Sequence, residues 1–324
     1  MADAAYTLAD FESRAESTLQ KAVIRTWRAK APIMERLKWK KHTGLDIEML
    51  RTKALPTAAW VKIGETLPAM KGTTEPYKER VHKMGGKIDV PREYAIAKSI
   101  VDERANQEAM ATEAMAYSFN DAFINGNPET DEDSLVGLWY RFNDAISSAQ
   151  TVLGAGYDIS PDTAVTKWYY GILDKLDALR DTLEGDDCDA FLMDITTKER
   201  LEAAFRESDM LGSTVDQVGR RFMTLGQGGP LIIPMGYKGD QSTKIIDHTE
   251  SDDGTALTGG DATTIYAVKF GEPYLAGFHL GDIRAEDKGE TEDGTNMRTI
   301  VDWTPGIYHV HPRAMARLVG IVAK

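Results

Sequence analysis

The sequence predicts an α+β fold, and three observations carry that prediction. Residues 91–124 hold apolar side chains at spacings of three and four almost throughout, the signature of one long helix. Residues 54–90, just before it, alternate like strands on either side of a polar tip. The final third is a series of short apolar runs separated by glycines, which reads as strands and turns. With 324 residues, 42% of them apolar and 27% charged, the chain can bury a sizeable core. A disordered tail, a collagen-like rod and a disulfide scaffold are excluded by that composition.

Taken in order, residues 1–53 show helical spacing at Leu19, Ala22, Val23, Thr26 and Trp27, with Ile33, Leu37 and Trp39 beyond Pro32. Too few apolar partners lie nearby in the sequence for this segment to fold alone, so an arm that docks elsewhere is expected. In 54–90, Trp60–Glu65 and Val81–Val90 read as two strands joined by the tip Lys71–Pro76. A two-stranded hairpin buries little, so it should be stabilised from outside, for instance by a neighbouring subunit. The helix over 91–124 starts at Pro91, with Asp89 as a cap, and stops at Asn125-Gly126. At 1.5 Å per residue it spans ~50 Å, long enough for a structural strut. The turn-rich stretch 127–133 and Gly137-Leu138-Trp139-Tyr140 follow. A helix is expected over 162–183, a short buried strand at Ala190–Met193, and a helix from the capping box Thr196-Thr197-Lys198-Glu199 to about Glu207. Leu231–Met235 reads as a strand preceded by a hairpin turn at 226–230. Further strands are expected at 263–270, 274–285, 297–303, 306–311 and 317–322.

The net charge of −13 is divided unevenly. Residues 1–90 carry 17 Lys and Arg against 11 Asp and Glu, and the remainder 21 against 40, so a front end of +6 precedes a body of −19. The front end of one copy could lie against the acidic body of another, or each half could simply be solvated. Tight nucleic-acid binding by the body is disfavoured, because phosphate contacts need clustered cations. The single cysteine, Cys188, fits a reducing compartment. No apolar run reaches the ~20 residues that span a bilayer. The opening residues lack the basic and apolar regions of a secretory signal, so none is expected.

A search for chemistry finds little. His309 and His311 alternate on one strand face, a spacing some metal sites use, but no carboxylate or cysteine accompanies them. There is no nucleophile elbow and no P-loop ending at 226–230. Cys188 lies among Asp186, Asp187 and Asp189, which suppress a thiolate. The acidic stretches 129–133, 250–253 and 290–293 lack calcium-loop spacing and read as solvated loops. No catalytic residue, cofactor or metal site is assigned.

The order of arm, hairpin, long helix, α/β region and strand-rich return resembles the major capsid protein of tailed double-stranded DNA phages, the Johnson fold. The stretches that carry the resemblance are Lys87-Ile88-Asp89-Val90-Pro91 and Phe123-Ile124-Asn125-Gly126-Asn127-Pro128 before Gly137-Leu138. They continue with Asp189–Met193 and Thr196-Thr197-Lys198, Gly212-Ser213-Thr214 and Gly219-Arg220-Arg221-Phe222, Leu231–Tyr237 with Lys238-Gly239-Asp240, Val301-Asp302-Trp303, Gly306-Ile307 and His311-Pro312-Arg313.

The resemblance implies a partition of the chain. Residues 1–53 would be the N-terminal arm and 54–90 the extended loop lying over a neighbour. Residues 91–150 and 263–308 would form the peripheral domain with its spine helix 91–124, and 151–262 with 309–324 the axial domain. It implies a structural, non-enzymatic virion protein, assembled in the host cytoplasm as hexamers and pentamers into an icosahedral capsid around double-stranded DNA, with no membrane partner. An arm of 53 residues leaves no room for a fused scaffolding domain, so a separate scaffolding protein or a processed chain is implied, beside a portal protein and decoration proteins. Inter-subunit contacts are expected from Arg25, Arg28, Lys40, Lys41, Trp60, Lys62, Lys71, Tyr77, Lys78, Arg80, Lys83 and Lys87. Some relatives join a loop lysine to a neighbour's asparagine; Lys62, Lys71, Lys78, Lys83 and Lys87 stand beside Asn125, Asn127 and Asn296 in this sequence, and nothing marks a pair. Two alternatives remain open: an encapsulin-like compartment holding cargo enzymes, and a metal-dependent enzyme using His309 and His311.

Overall fold

The computed structural model describes residues 6–54, 56–96, 103–144, 150–161, 168–209, 211–215, 219–226, 229–251 and 259–323. The chain opens with α1 (Leu8–Arg14), α2 (Thr18–Lys30), α3 (Pro32–Arg36) and β1 (Trp39–Lys41). Each helix has a local reason to start. The Asp10 carboxylate accepts the Thr7 N–H at 2.7 Å, Ser17 Oγ accepts the Gln20 N–H at 3.0 Å, and Pro32 occupies the first turn of α3.

This segment is where the sequence reading needs its largest correction. The expected arm is docked on its own chain. Leu8, Ile24, Trp27, Ile33, Met34, Leu37 and Trp39 are completely buried in the larger of the two main cores. The partners it lacked locally come from far along the chain. Trp27 Nε1 donates to the Thr112 carbonyl at 3.0 Å, and the Trp303 ring lies 5.7 Å from Trp27 and 4.6 Å from Trp39. β1 adds in parallel to β11 (Leu275–His279), which pairs antiparallel with β14 (Pro305–His309). Trp39 lies flat on Gly277 of β11, where any Cβ would overlap the indole.

A hairpin follows, displaced from its expected position. β2 (Asp46–Ala54) pairs with β3 (Thr73–Arg80), in register from Asp46↔Arg80 to Ala54↔Thr73. Residues 60–65 are not a strand. Gly64 has a φ of 98° and the Glu65 N–H returns to the Lys62 carbonyl at 3.1 Å, a turn that interrupts the alternation. The second expected strand does form, as β4 (Met84–Pro91), but it pairs with β13 (Asn296–Trp303) rather than with its hairpin neighbour. β12 (Arg284–Glu290) completes that three-stranded sheet. Pro91 therefore ends a strand. Helix α4 (Arg92–Ile96) starts after it and α5 (Glu103–Asn125) carries the long apolar stripe. Residues 97–102 of the expected single helix lie outside the described residues.

After α6 (Leu138–Asp144), the rest of the chain builds a seven-stranded mixed sheet. Its strands are β5 (Thr151–Asp158), β6 (Ala190–Met193), β7 (Leu211–Val215), β8 (Arg221–Leu225), β9 (Leu231–Pro234), β10 (Ala262–Val268) and β15 (Met315–Val322), ordered β5-β15-β10-β6-β9-β8-β7. Helices α7 (Tyr170–Asp181) and α8 (Ile195–Glu207) bury Ile172, Leu176, Leu179, Leu201 and Phe205 with Phe191, Ile265 and Leu318 of the sheet. The expected helix start at 162–167 lies outside the described residues. The cap of α8 is Asp194, whose carboxylate accepts the Thr196 N–H at 2.9 Å, so Thr196 is already inside the helix. Two further differences concern the final third. β10, expected with the peripheral strands, is laddered between β15 and β6, because its seven residues are all buried and need a sheet on both edges. The expected strand 274–285 is split by a turn at 280–283, after which the chain changes sheets to enter β12.

Candidate functional site

The β2–β3 hairpin has two dissimilar faces, as period-two side-chain alternation requires. One face lies on the body: Ile47 and Met49 pack against a small core of Val81, Ala276, Phe278 and Tyr308. The other is open, with Leu50 69% exposed and Lys78 paired to Glu48 on the surface. Beyond the last strand residues, 56–72 carry no strand or helix, and every one of these residues is exposed. Within that loop Trp60 and Ile63 are fully exposed, Leu67 and Met70 are largely so, and Val61 is 37% exposed. Burying a side chain of this size is worth ~1.5–3 kcal/mol, so five of them held in water on a projecting loop mark a surface that lacks its partner.

The root of the loop is held by a buried polar cluster. Arg141 of α6 is almost wholly buried and ion-pairs with Glu79 of β3, itself only 5% exposed. The Arg141 guanidinium also donates to the Tyr77 hydroxyl at 2.7 Å and to the Ile307 carbonyl at 3.1 Å, while its Nε donates to the Val136 carbonyl at 3.1 Å. The Tyr77 hydroxyl in turn donates to Glu79. His309 stands between two guanidinium groups, with Arg141 2.9 Å from Nδ1 and Arg51 of β2 2.6 Å from Nε2. Arg51 stacks on the Tyr77 ring, 4.0 Å from its centre. Burial pushes the Tyr77 hydroxyl up to about 12, so it remains a neutral phenol. Burial, then the charges of Arg141 and Arg51, hold the His309 imidazole well below its ordinary value.

This arrangement bears on the metal alternative. Both ring nitrogens of His309 face guanidinium groups, which repel a cation. His311 lies beyond the strand end, where its Nδ1 accepts the Arg313 N–H at 3.1 Å. Among the described residues no group of three or more His, Cys, Asp or Glu side chains is placed to hold a metal ion. Burial pushes the Cys188 thiol up to about 12, the wrong direction for a nucleophile.

The twelve residues expected at subunit contacts fall into three groups. Trp60, Lys62 and Lys71 are on the exposed loop. Tyr77, Lys78, Arg80, Lys83 and Lys87 follow along β3 and β4; Tyr77 is turned into the buried cluster, Arg80 reaches Asp46 at 3.9 Å and Lys83 reaches Asp302 at 3.3 Å. Arg25, Arg28, Lys40 and Lys41 are on the docked N-terminal segment. Arg28 is spent within the chain, pairing with Glu12 at 2.6 Å and Glu35 at 3.0 Å, and Arg25 also pairs with Glu12. The structure thus leaves Trp60, Lys62 and Lys71 exposed on the loop, turns Tyr77 inward, puts Lys87 on a strand of another sheet and pairs Arg25 and Arg28 within the N-terminal segment. Sequence reading missed Val61, Ile63, Leu67 and Met70 as surface residues, and Arg51, Glu79 and Arg141 altogether. Only their clustering with Trp60 could have flagged the first four; the other three carry no local signal.

Residues 16–167 match the model of the family described as Major capsid protein GP7. No curated protein sequence matches the chain. Among solved structures, the chain is similar to the holo-SrpI encapsulin complex of Synechococcus elongatus PCC 7942, at 13% identity and a TM-score of 0.61, covering 96% of this chain and 93% of that one. It is similar to the capsid of a native GTA particle, at 13% identity and a TM-score of 0.55 over 95% and 92% of the two chains. A third similar structure is that of Microbacterium phage Oxtober96, at 14% identity and a TM-score of 0.55 over 90% and 91%. The sequence match covers α2, α3, the hairpin and α5, and the structural likeness extends over nearly the whole chain. The solved structures show that the chain has the fold these shell-forming proteins share, and residues 16–167 are similar to a major capsid protein family.

Proposed function

We propose that this chain assembles as hexamers and pentamers into an icosahedral shell enclosing double-stranded DNA, and that the 56–72 loop grips a neighbouring copy. The observation that carries the reading is the run Trp60, Val61, Ile63, Leu67 and Met70, exposed on a loop with no cover of its own. A repeated heterologous contact of this kind closes into rings when its rotation allows, which is the geometry of a capsomer. On this reading 54–90 is the extended loop, α5 the spine, the sheet of β4, β12 and β13 the peripheral domain and the seven-stranded sheet the axial domain. The acidic body keeps the packaged nucleic acid from adhering tightly, through like-charge repulsion. A separate scaffolding protein, a portal protein and decoration proteins are the partners such a shell calls for, and the virion is its location.

Replacing 56–72 by a short Gly-Ser connection tests the reading. The expected result is a folded chain with unchanged far-UV circular dichroism that forms no shells in negative-stain micrographs. Intact shells from that variant would refute the contact in trans. The likeness to an encapsulin favours a second reading, a compartment holding cargo enzymes. Nuclease-protected DNA inside particles recovered from the native source supports the first, and a stoichiometric enclosed enzyme the second.

A further inference from the structure

The buried cluster under the loop does more than fill space. Arg51 of β2 and Tyr77 of β3 are hairpin side chains close to the loop that bond to the body; the open loop begins at 56 and ends at 72. Four elements meet there: β2 supplies Arg51, β3 supplies Tyr77 and Glu79, α6 supplies Arg141 and β14 supplies His309. The body side is rigidly anchored, since Arg141 is tied to two backbone carbonyls as well as to Glu79. The hairpin side is held more lightly: one Arg51 nitrogen meets His309, 2.6 Å from Nε2 and 3.5 Å from the carbonyl oxygen, and the guanidinium otherwise rests on the Tyr77 ring. Arg141 pairs with Glu79, whereas Arg51 lies against His309 and the Tyr77 ring, neither of them an anion. A second cation at that point gains little stability from its charge, which points to a geometric role.

We propose that Arg51 is a positioning residue for shell assembly: by clasping His309 it fixes the direction in which the loop leaves the body, and so which part of a neighbouring copy the loop can reach. The proposal rests on the loop acting in trans. It differs from that reading in what it assigns to a side chain that never leaves its own subunit. A hairpin released at Arg51 would still carry Trp60 and Ile63, but would present them over a range of angles. Ring closure needs one angle repeated at every contact.

The test compares Arg51→Ala and Arg51→Lys with the unaltered full-length chain. Neither substitution strands a buried charge, because the imidazole left behind is neutral. Hydrogen exchange is read on the unassembled chain, in the hairpin segments 46–51 and 73–79 and in the core strands β10 and β15. For Arg51→Ala the expected outcome is hairpin exchange faster by about 10-fold with core exchange unchanged, since a local opening is made easier without global unfolding. Its particles should be fewer and of mixed diameter in micrographs, and Arg51→Lys should recover part of both properties. Unchanged hairpin exchange with uniform shells would overturn the proposal. So would a rise in exchange spread evenly over core and hairpin, which would make Arg51 an ordinary stabilising residue. Absence of particles from the unaltered chain would instead defeat the shell reading, since the exchange measurement reports the clasp directly.

Discussion

Residues 6–41 and 56–72 have much the same apolar content, with tryptophan, isoleucine, leucine and methionine in each, yet they end in opposite environments. Trp27 and Trp39 have no exposed surface, whereas Trp60 is fully exposed. The N-terminal segment finds its partners in α5, β11 and β13 of its own chain, and three of its cations, Arg25, Arg28 and Lys30, are paired with Glu12, Glu35 and Glu113. Among the described residues the loop finds none. The difference separates two kinds of appendage that composition cannot tell apart: one completes its own subunit, and the other, on the reading proposed above, is completed by a second subunit.

The comparison is broken most directly by truncating a tryptophan in each region. Trp39→Ala removes a ring packed against Trp303, Phe119 and Gly277, and should cost ~3–5 kcal/mol in denaturant unfolding, enough to prevent assembly by preventing folding. Trp60→Ser with Ile63→Ser should leave the melting temperature of the unassembled chain within ~2 °C of the unaltered protein. The same double variant should lose most of its shells in micrographs. Equal loss of stability in both variants would show that the loop is covered within its own subunit. A milder contrast comes from the cations: Arg28→Ala should lower stability by about 1 kcal/mol, because it bridges Glu12 to the buried Glu35, while Lys62→Ala should leave the melting temperature unchanged.

Acid should act on the clasp. The groups facing His309 are Arg51 from β2, Tyr77 and Glu79 from β3 and Arg141 from α6. Since the folded imidazole titrates well below its unfolded value, the unfolded or opened state binds the proton first. The contribution of His309 is therefore complete above the unfolded value near 6.5 and is lost as pH falls from there through the folded value. Hairpin exchange, corrected for the intrinsic pH dependence of the amide rate, should rise between about pH 6 and pH 5 while β10 and β15 stay protected. The smallest effect belongs to the exposed Lys78–Glu48 pair on the open hairpin face, where Lys78→Ala should not move the melting temperature.

How far the sequence could be read depended on where each element's partners lay. The stripe of α5 was legible because Thr112, Ala116, Phe119 and Phe123 repeat within a few turns. The four buried residues of β6 were legible for a similar reason, as an apolar run bounded by turn residues. The alternation at Trp60-Val61-Lys62-Ile63 misled, because a half-buried strand and an uncovered loop share that pattern, and only a ladder partner distinguishes them. Tyr77 was named from its place on the hairpin, but the cluster it joins was not legible. Arg141 and His309 are separated by 168 positions and meet only because α6 and β14 pack on the same hairpin.

The amino-acid order by itself determined the α+β class, the long helix, the buried strands and the division into a basic front and an acidic body, because periodicity and charge are local properties of the chain. The tertiary structure decided which strand pairs with which, that the N-terminal helices complete their own subunit, and that the tryptophan left over is Trp60. Burial depends on partners brought in from distant parts of the sequence, and no local pattern records whether those partners will arrive.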